Sequence, residues 1–470
     1  MKKKLLVMIL AFSLGCGGLA GCGEPETAEG QVREESGSVE ESIREENGNG
    51  AAESDAGNES NGAEKGEQAE SDSVGDGAES KESEASENSE QAEGAGESRY
   101  EIPDVTIKAF EIPDTEGMAF VHNLKIGWNL GNTLDAYSES RLAQELDSET
   151  YWGNPATTKQ MIDDIYEAGF NSVRIPVTWH PHVDENYRIS EEWLNRVQEI
   201  VDYAYGNGMY VILNIHHDNS LEFMYPSSQY LEQSIDYVTA IWQQLAERFA
   251  DYDEHMIFEC MNEPRQVGTE WEWWMNGSEE CKDAVACINE INQAFVDTVR
   301  AAGGNNKTRF LMVPGYDASP EGALDSGFVL PRDAEGTEDR LIVSVHAYKP
   351  YSFALQAPEE SGSTAEFDSD IARYTSELGT FMNQLYDSFI SQGIPVVIDE
   401  FGSRDKEQNI QARIDHAAYY VAAARARGIS CFWWDNNVFS GSGENFGLYD
   451  RNGGSFPYPE LVEAMMKYAD

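Results

Sequence analysis

The feature that most constrains the fold of this chain is a repeating order of short apolar runs and amphipathic stretches from about residue 101 to the C-terminus. Short runs rich in β-branched and apolar residues are typical of buried parallel strands, and stretches with a 3.6-residue apolar period are typical of helices. The pattern predicts eight strands, at 126–131, 171–177, 210–217, 256–263, 309–315, 341–348, 395–402 and 429–436. The main predicted helices are 157–168, 191–205, 233–249, 284–302, 367–390 and 409–427.

Eight β/α units in succession predict an α/β fold of the (β/α)8 TIM-barrel type for residues 101–470. The connection between the fifth and sixth predicted strands is only weakly helical. A doubly wound open sheet is the alternative, but no glycine-rich phosphate-binding turn follows any predicted strand.

The first 22 residues have the features of a lipoprotein signal peptide. Three lysines at 2–4 precede an apolar stretch at 5–14 that is too short to span a membrane. The sequence LAGC at 19–22 resembles a bacterial lipobox, in which cleavage leaves the cysteine, here Cys22, as a lipid-bearing N-terminus. An ordinary signal peptide with a chance cysteine is the alternative. The lipobox predicts an extracellular protein anchored by lipid to the outer face of the bacterial cell membrane.

Residues 23–100 are predicted to form a disordered acidic tether between that anchor and the barrel. They consist mainly of Glu, Ser, Gly, Ala, Asn and Gln, so they bury too little apolar surface to offset the entropy of folding. The 470-residue chain has a formal net charge of -53, which argues against nucleic acid or an anionic membrane surface as a partner. An uncharged polysaccharide is compatible with that charge, and we expect a tethered barrel to be a monomer.

Cysteine usage does not indicate a disulfide-rich scaffold. Cys260 and Cys431 lie in apolar, strand-like runs and are predicted to be buried free thiols. Cys281 and Cys287 are close in sequence, and their spacing matches no zinc motif. The sequence leaves open whether these two form a disulfide.

Polar and aromatic residues end seven of the eight predicted strands. In a TIM barrel, the C-terminal ends of the strands carry the active site. A structural strand end seldom has so many hydrogen-bonding and titratable groups, so these residues predict an active site at the mouth of the barrel. They are Asn129, Asn132, Arg174, His216, His217, Asn262, Glu263, His346, Tyr348, Glu400, Trp434, Asp435 and Asn436.

Two glutamates stand out among these residues. Glu263 follows the apolar run 256–258 and precedes Pro264, and Glu400 follows the run 396–398. On the fourth and seventh strands they are expected on opposite sides of the mouth, and a retaining glycosidase needs two carboxyls about 5–5.5 Å apart. The alternative is two solvated loop glutamates among 85 acidic residues, which leaves the two preceding apolar runs unexplained.

Six short motifs occur in order along the predicted barrel. They are SVRIPV at 172–177, NIHH at 214–217, MNEP at 261–264, VHAY at 345–348, IDEFG at 398–402 and FWWDN at 432–436. As an ordered set, these motifs resemble glycoside hydrolase family 5. GWNLGN at 127–132 and WGNP at 152–155 resemble its subfamily 4, whose members act on cellulose, mixed-linkage β-glucan, xyloglucan and sometimes xylan.

The resemblance implies a role for each predicted site residue. Glu400 would be the nucleophile, held ionised and oriented by Arg174 and Tyr348. Glu263 would be the acid/base, and His346 would lie between the two carboxyls. The remaining substrate-binding or supporting residues would be Asn262 at the sugar 2-hydroxyl, Trp434 as a stacking floor, His216, His217 and Asn129.

Two further features follow from the resemblance. Trp433 should point away from the sugar and pack inside the protein, because successive strand residues face opposite sides. Family members often have a non-proline cis peptide after the stacking tryptophan. No cofactor and no metal is implied, and the adjacent histidines at 216 and 217 lack a third ligand at zinc spacing.

Other tryptophans are candidates for stacking on sugar rings. Trp271, Trp273 and Trp274 follow the fourth predicted strand, and Trp152 and Trp179 are weaker candidates on the other side of the cleft. The alternative for the first three is that they pack the loop onto the barrel.

The sequence therefore predicts retaining, endo-acting hydrolysis of β-1,4-glucosidic bonds in plant cell-wall glucans. One alternative is the same mechanism on xylan or mannan. Another is a non-catalytic glycan-binding lipoprotein, which would be expected to have lost one of the two glutamates.

Overall fold

The computed structural model describes residues 99–138, 145–337, 339–441 and 443–470. The predicted signal peptide, Cys22 and all but the last two residues of the predicted tether lie outside these ranges. Within them, every helix is too short or too polar to cross a bilayer.

Eight strands form a closed barrel in sequence order, and each neighbouring pair is parallel, including the pair that joins the last strand to the first. The predicted (β/α)8 barrel is confirmed, and the open-sheet alternative is wrong. The strands are β1 Ile126–Leu130, β2 Ser172–Ile175, β3 Tyr210–Asn214, β4 Met256–Glu259, β5 Leu311–Pro314, β6 Leu341–His346, β7 Val396–Phe401 and β8 Ser430–Asp435.

The first helix precedes β1 and covers one end of the barrel, and the other helices follow strands along the chain. They are α1 Glu116–Leu124, α2 Lys159–Glu167, α3 Glu191–Gly206, α4 Leu231–Arg248, α5 Glu279–Ala301, α6 Pro320–Ala323, α7 Tyr351–Ala354, α8 Ala372–Ser388, α9 Ile410–Arg425 and α10 Pro459–Met466. The weakly helical connection between β5 and β6 contains only the four-residue α6.

Local sequence explains where the long helices begin. Ser190 and Ser278 precede α3 and α5, and their hydroxyls accept hydrogen bonds from the backbone N–H groups of Trp193 and Cys281. Such caps satisfy N–H groups that the helix itself leaves unpaired, and glutamates in both first turns complement the helix dipole.

The side chains that point into the barrel form two levels, because alternate residues of each strand face inward. The lower level, nearer the N-terminal ends of the strands, is apolar and is covered by α1. Its buried side chains are Phe120, Val121 and Leu124 of α1 with Ile212, Ile257, Phe310, Met312, Ile342, Val397 and Phe432. A Cβ atom on Gly127, the β1 residue of this level, would lie 2.0 Å from the Phe432 ring, so the packing requires glycine there.

The upper level lies two residues further along the strands and is polar. Its fully buried members are Asn129, Arg174, Asn214, Glu259, Ser344 and Asp399. The polar groups at the barrel mouth therefore lie directly above the buried polar and charged residues of the upper level.

All four cysteines within the described ranges are free and buried. The prediction for Cys260 and Cys431 is confirmed, and a Cys281–Cys287 disulfide is wrong. Both residues of the latter pair lie on α5, where six residues correspond to a rise of about 9 Å. That separation exceeds the Cα spacing that a disulfide can span.

Candidate active site

The structure brings the ten predicted site residues together at the mouth of the barrel. Asn129, Arg174, His346, Glu400 and Trp434 lie within β1, β2, β6, β7 and β8. The others lie in the loops that directly follow β3, β4 and β6, namely His216, His217, Asn262, Glu263 and Tyr348. The strand hydrogen bonding ends earlier than predicted, so Glu263 projects from a loop after β4. That loop is still held by bonds from Asn262 N to Ile215 O at 2.8 Å and from Asn219 Nδ2 to Glu263 O at 3.2 Å.

Arg174 connects the upper level to the mouth. Its Nε and Nη2 atoms donate to the two oxygens of Glu259 at 2.6 and 3.0 Å. Nη1 donates to Glu400 Oε1 at 2.7 Å and to Asn129 Oδ1 at 3.0 Å, and Nη2 also donates to Asn262 Oδ1 at 2.8 Å. One buried guanidinium therefore orients the carboxylate of Glu400 and two amides.

The Glu400 carboxylate is held from both sides. The Tyr348 hydroxyl donates to Oε2 at 2.9 Å, opposite the Arg174 contact to Oε1. Burial raises the pKa of Glu400 and the nearby Glu263 adds to this, against the opposing effect of His346 and Arg174. Burial and the Glu400 charge raise the pKa of Tyr348 well above its ordinary value, so it remains a neutral donor.

His346 lies between the two glutamates. Its Nδ1 is 2.9 Å from Glu263 Oε1 and 3.6 Å from Glu400 Oε2. One oxygen of each glutamate and a His346 nitrogen all lie within 4.8 Å of one another. This proximity suits the short carboxyl spacing of retaining glycosidases, because an inverting pair is about 6.5–9.5 Å apart.

The surroundings shift the pKa values of His346 and Glu263 in opposite directions. Burial would lower the pKa of His346, but Glu400 and Asp399 outweigh burial and raise it well above its ordinary value. Burial would raise the pKa of Glu263, but the hydrogen bond from His346 and the charge of Arg265 lower it to about 2. These opposite pKa directions favour His346 as the proton donor in its 2.9 Å contact with Glu263.

The rings of Trp434 and His216 lie parallel to each other at the mouth. Their planes are parallel within 1°, with centroids 5.7 Å apart. Burial lowers the pKa of His216 well below its ordinary value, helped by nearby His217 and Arg174. His216 is therefore neutral, and its ring is suited to a hydroxyl-rich ligand.

The orientation predicted for the adjacent tryptophan is confirmed. Trp433 is fully buried and donates from Nε1 to Phe446 O at 3.1 Å. The expected cis peptide after Trp434 is wrong, since the one cis bond within the described ranges is Lys349–Pro350.

The other candidate aromatic residues separate into exposed and buried groups. Trp273 and Trp274 are 52% and 67% exposed beside the loop of Glu263, and Trp152, 41% exposed, lies 5.4 Å from the His217 ring. Trp179 is wrong as a cleft residue, because it is fully buried and donates to Asn214 O at 2.9 Å.

Three polar residues of this site were missed by the sequence reasoning. Glu259 and Asp399 are buried in the upper level, 2.6 and 3.4 Å from Arg174 Nε. A charge inside an apolar strand run is a usable signal for Glu259, because an unpaired charge is rarely buried. Irregular register in β7 allows the consecutive Asp399 and Glu400 both to reach Arg174, which strict alternation does not predict. Arg265, 3.1 Å from Glu263 Oε2, was also missed.

Three clusters within the described ranges have donor atoms spaced for a metal ion. They are Asp135, His216 and His217; Glu259, His346 and Asp399; and Glu263, His346 and Glu400. In the second cluster, a metal ion would have to displace the Arg174 guanidinium from Glu259. In the third, it would have to displace the His346–Glu263 hydrogen bond.

Comparison with known proteins agrees with this geometry. A match to the family described as Cellulase (glycosyl hydrolase family 5) covers residues 134–440. The cellulase/esterase CelE of Acetivibrio thermocellus is 43% identical over 359 residues, which make up 76% of this chain and 41% of CelE. The chain thus spans less than half the length of that relative.

Two solved structures cover nearly the whole described region. A family 5 lichenase from Caldicellulosiruptor sp. F32 is 55% identical with a TM-score of 0.78, covering 79% of this chain and 100% of that chain. A GH5-4 broad specificity endoglucanase from Ruminococcus champanellensis with bound cellotriose is 45% identical with a TM-score of 0.69, covering 76% of this chain and 100% of that chain. This chain belongs to glycosyl hydrolase family 5.

Proposed function

We propose that this protein cleaves β-1,4-glucosidic bonds within chains of uncharged plant cell-wall glucans, with retention of configuration. The observation that carries this proposal is the pair of carboxyls at the barrel mouth, Glu263 and Glu400, with oxygens within 4.8 Å and His346 between them. A pair at this spacing suits attack by one carboxylate and proton transfer by the other. The similarity to a lichenase and to a broad specificity endoglucanase supports glucans as the substrate class.

In the first step, a Glu400 oxygen attacks the anomeric carbon and the bond to the leaving sugar oxygen breaks. Arg174 and Tyr348 direct the Glu400 oxygens and stabilise their charge. Glu263 gives a proton to the leaving oxygen, and it obtains that proton across the 2.9 Å contact with His346.

In the second step, water attacks the same carbon and Glu400 leaves. Glu263 now takes the proton from the water and passes it back to His346 across the same 2.9 Å contact, so Glu400, Glu263 and His346 all return to their starting states. Asn262, oriented by Arg174, is positioned to bond the sugar 2-hydroxyl, a contact that tightens in the transition state. Trp434 forms the floor under this sugar, and Asn129, His216 and His217 complete the surrounding polar surface.

The extent of the cleft favours a long substrate. Trp152 is exposed on the side of His217, and Trp273 and Trp274 are exposed on the side of Glu263. Aromatic surfaces on both sides of the cleavage point suit an internal segment of a polymer. We include xyloglucan among the substrates, because the motifs at 127–132 and 152–155 resemble subfamily 4.

The protein is further proposed to act as a monomer anchored outside the cell by lipid on Cys22. The motif LAGC at 19–22 and the acidic segment at 23–100 support this location. In bacterial expression, Cys22→Ala is expected to release the enzyme into the medium. Unchanged retention in the membrane fraction would refute the anchor.

The test of function measures reducing-sugar release by the full chain on carboxymethyl cellulose, barley β-glucan, xyloglucan, xylan and glucomannan. Glu400→Gln is expected to lower turnover at least about 10⁴-fold and Glu263→Gln about 10²–10⁴-fold. Glu290→Gln, an exposed glutamate on α5, is the matched control and should keep wild-type turnover.

The same panel separates the alternatives. Turnover that is highest on the glucans would support the proposal. Turnover that is highest on xylan or glucomannan would mean that the same mechanism acts on a different polymer. Binding without turnover by a folded wild-type protein would establish a glycan-binding protein instead.

A further inference from the structure

Arg265 lies in the loop between β4 and α5, close to Glu263. Among the described residues, it is the only positively charged side chain of that loop. Its Nη1 atom lies 3.1 Å from both the backbone oxygen and Oε2 of Glu263. A cation at that distance stabilises the carboxylate. This poses a problem for the mechanism above, since Glu263 must be protonated when the glycosidic bond breaks.

Two other carboxylates face the opposite side of the same guanidinium. Arg265 Nε is 3.6 Å from Glu272 Oε1 and 3.9 Å from Asp317 Oδ1. Both Arg265 Nε and Asp317 Oδ1 are buried, and neither has a hydrogen-bond partner among the described residues. A shift of less than an ångström would bring these two atoms within bonding distance of each other.

The surroundings hold Asp317 where it could bind the shifted Arg265 side chain. It adopts a left-handed conformation with φ of 56° in the turn after β5. Its backbone N–H donates to Pro264 O at 2.9 Å, which joins the β5 turn to the β4 loop. The Tyr316 hydroxyl accepts from Gln266 N and donates to Trp271 O, so the loop that carries Arg265 is fixed at three points.

The guanidinium also lies against the exposed aromatic surface. The Arg265 guanidinium carbon is 4.0 Å from the centre of the Trp273 ring, and Trp273 is 52% exposed. A sugar ring that stacks on the other face of Trp273 would push that ring against the guanidinium. The Trp273 ring thus connects a bound sugar to the position of Arg265.

We propose that Arg265 is a positioning residue that exchanges partners between Glu263 and Asp317, and that this exchange sets the protonation state of the acid/base. With its Nη1 atom 3.1 Å from Glu263 Oε2, Arg265 pairs with Glu263 and keeps it ionised. When a sugar occupies the Trp273 side, Arg265 moves onto Asp317 and Glu272, and Glu263 becomes the carboxyl that holds the proton. The proposal rests on the proposed acid/base role of Glu263.

The charges around the two carboxyls agree with such an exchange. Burial and the charge of Glu263 raise the pKa of Asp317 well above its ordinary value, although Arg265 opposes this. Asp317 and Glu263 thus compete for one cation, and the one without it retains the proton. The other titratable or charged groups that face this cluster are His346, Glu400, His217, His216, Tyr348, Tyr316, Glu272 and Glu444.

The experiment follows the titration of Glu263 by ¹³C NMR of carboxyl-labelled glutamate in the full chain, with the signal assigned by its loss in Glu263→Gln. Arg265→Gln is expected to raise the pKa of Glu263 by about one unit, as for removal of a neighbouring opposite charge. Arg265→Lys keeps a cation and should shift it less. Asp317→Asn should lower the pKa of Glu263, because Arg265 then remains on Glu263. Asparagine is tolerated at this position, because it readily adopts the left-handed conformation.

The double variant decides whether Asp317 acts through Arg265. In the Arg265→Gln background, Asp317→Asn is expected to change the pKa of Glu263 by less than about a third of its effect in the wild type. The alkaline limb of kcat/KM on barley β-glucan should follow the same directions, upward for Arg265→Gln and downward for Asp317→Asn. Glu290→Gln should shift neither the titration nor the profile.

Several results would overturn the proposal. One is an unchanged Glu263 titration in Arg265→Gln with a folded protein, as judged by thermal unfolding. Another is a shift in the same direction for both single variants. A third is an undiminished Asp317→Asn effect in the double variant. Because the titration needs no turnover, these results are distinct from a failure of the proposed hydrolysis, which only the polymer panel would reveal.

Discussion

The two levels of the barrel interior are built on the same strands and differ in almost every physical property. Two residues along a strand, Ile257 gives way to Glu259 and Val397 gives way to Asp399. The lower level is stabilised by removal of apolar surface from water and by close packing. The upper level buries charges that are tolerable only because each is paired and hydrogen-bonded. One level supports the fold, and the other supports the chemistry at the mouth.

Because of this difference, mutations in the two levels should affect stability and turnover differently. Packing errors in the lower level should cost stability and leave the catalytic geometry intact. Loss of one charge in the upper level leaves its partners buried and uncompensated, so stability and turnover should fall together. The predictions below test this contrast, from the largest expected effect to the smallest.

Arg174→Met should have the largest effect, because Glu259, Glu400 and Asp399 all lose a shared cation. We expect a loss of about 3–5 kcal/mol in the free energy of unfolding, typical of breaking a buried ion pair. Turnover on β-glucan should also fall by at least about 10²–10³-fold, because Glu400 loses a preorganised donor. Urea unfolding and steady-state kinetics measure the two effects.

A matched control lies at the other end of the barrel. Arg309 is also buried, but it donates to backbone carbonyls, including those of Phe249 and Met256, and lies outside the upper level. Arg309→Met should lose stability while kcat stays within about twofold of wild type. An equal loss of kcat in both arginine variants would contradict the contrast between the levels.

Gly127→Ala tests the lower level by overpacking. The added methyl group would meet the Phe432 ring at 2.0 Å, so we expect a loss of about 1–3 kcal/mol in the free energy of unfolding. Phe432→Leu should recover part of this loss in the Gly127→Ala background, and a double-mutant cycle measures that coupling. If the two changes are simply additive, the proposed clash is not the cause of the loss.

The two levels also differ in how well the sequence predicts them. The lower level follows from apolar runs with inward-facing alternate residues, and all eight strands and the barrel were predicted from this pattern. The mouth was predicted because polar residues after apolar runs are conspicuous, as with Glu263 and Glu400. In contrast, Glu259 and Asp399 lie inside those runs, where the pattern leads one to expect strand core.

Other details depend on three-dimensional contacts that a pattern does not contain. Consecutive residues Asp399 and Glu400 both reach Arg174 because the register is irregular there. The sequence makes Trp179 a weaker candidate for the cleft, but its buried ring donates to Asn214 O. Arg265 directly follows the MNEP motif. Its proposed role depends on contact with Asp317, which is 52 residues away along the chain.

Glu259→Gln tests the charge of the upper level by its pH dependence. Burial raises the pKa of Glu259 above its ordinary value and Asp399 adds to this, against the opposing effect of Arg174. A carboxyl whose pKa is raised on folding binds more protons in the folded state, so its contribution to stability declines as pH rises above the unfolded pKa and through the folded one. Wild type should therefore lose stability relative to Glu259→Gln as pH rises above about 4.5, by at most about 1.4 kcal/mol per pH unit. A pH-independent difference between the two proteins would show that Glu259 has the same pKa in the folded and unfolded states.

Ile257→Val should have the smallest effect, and it sharpens the contrast most directly. Ile257 lies on the same strand face as Glu259, one level lower, among buried apolar side chains. Removal of one buried methyl group should cost about 0.5–1.5 kcal/mol of unfolding free energy, because the surrounding side chains relax only in part. The kcat on β-glucan and both limbs of its pH profile should remain those of wild type, because no charge and no hydrogen bond of the upper level changes. A shifted alkaline limb would mean that lower-level packing also sets the position of Arg174, and the division of the barrel into a structural and a chemical level would then be wrong.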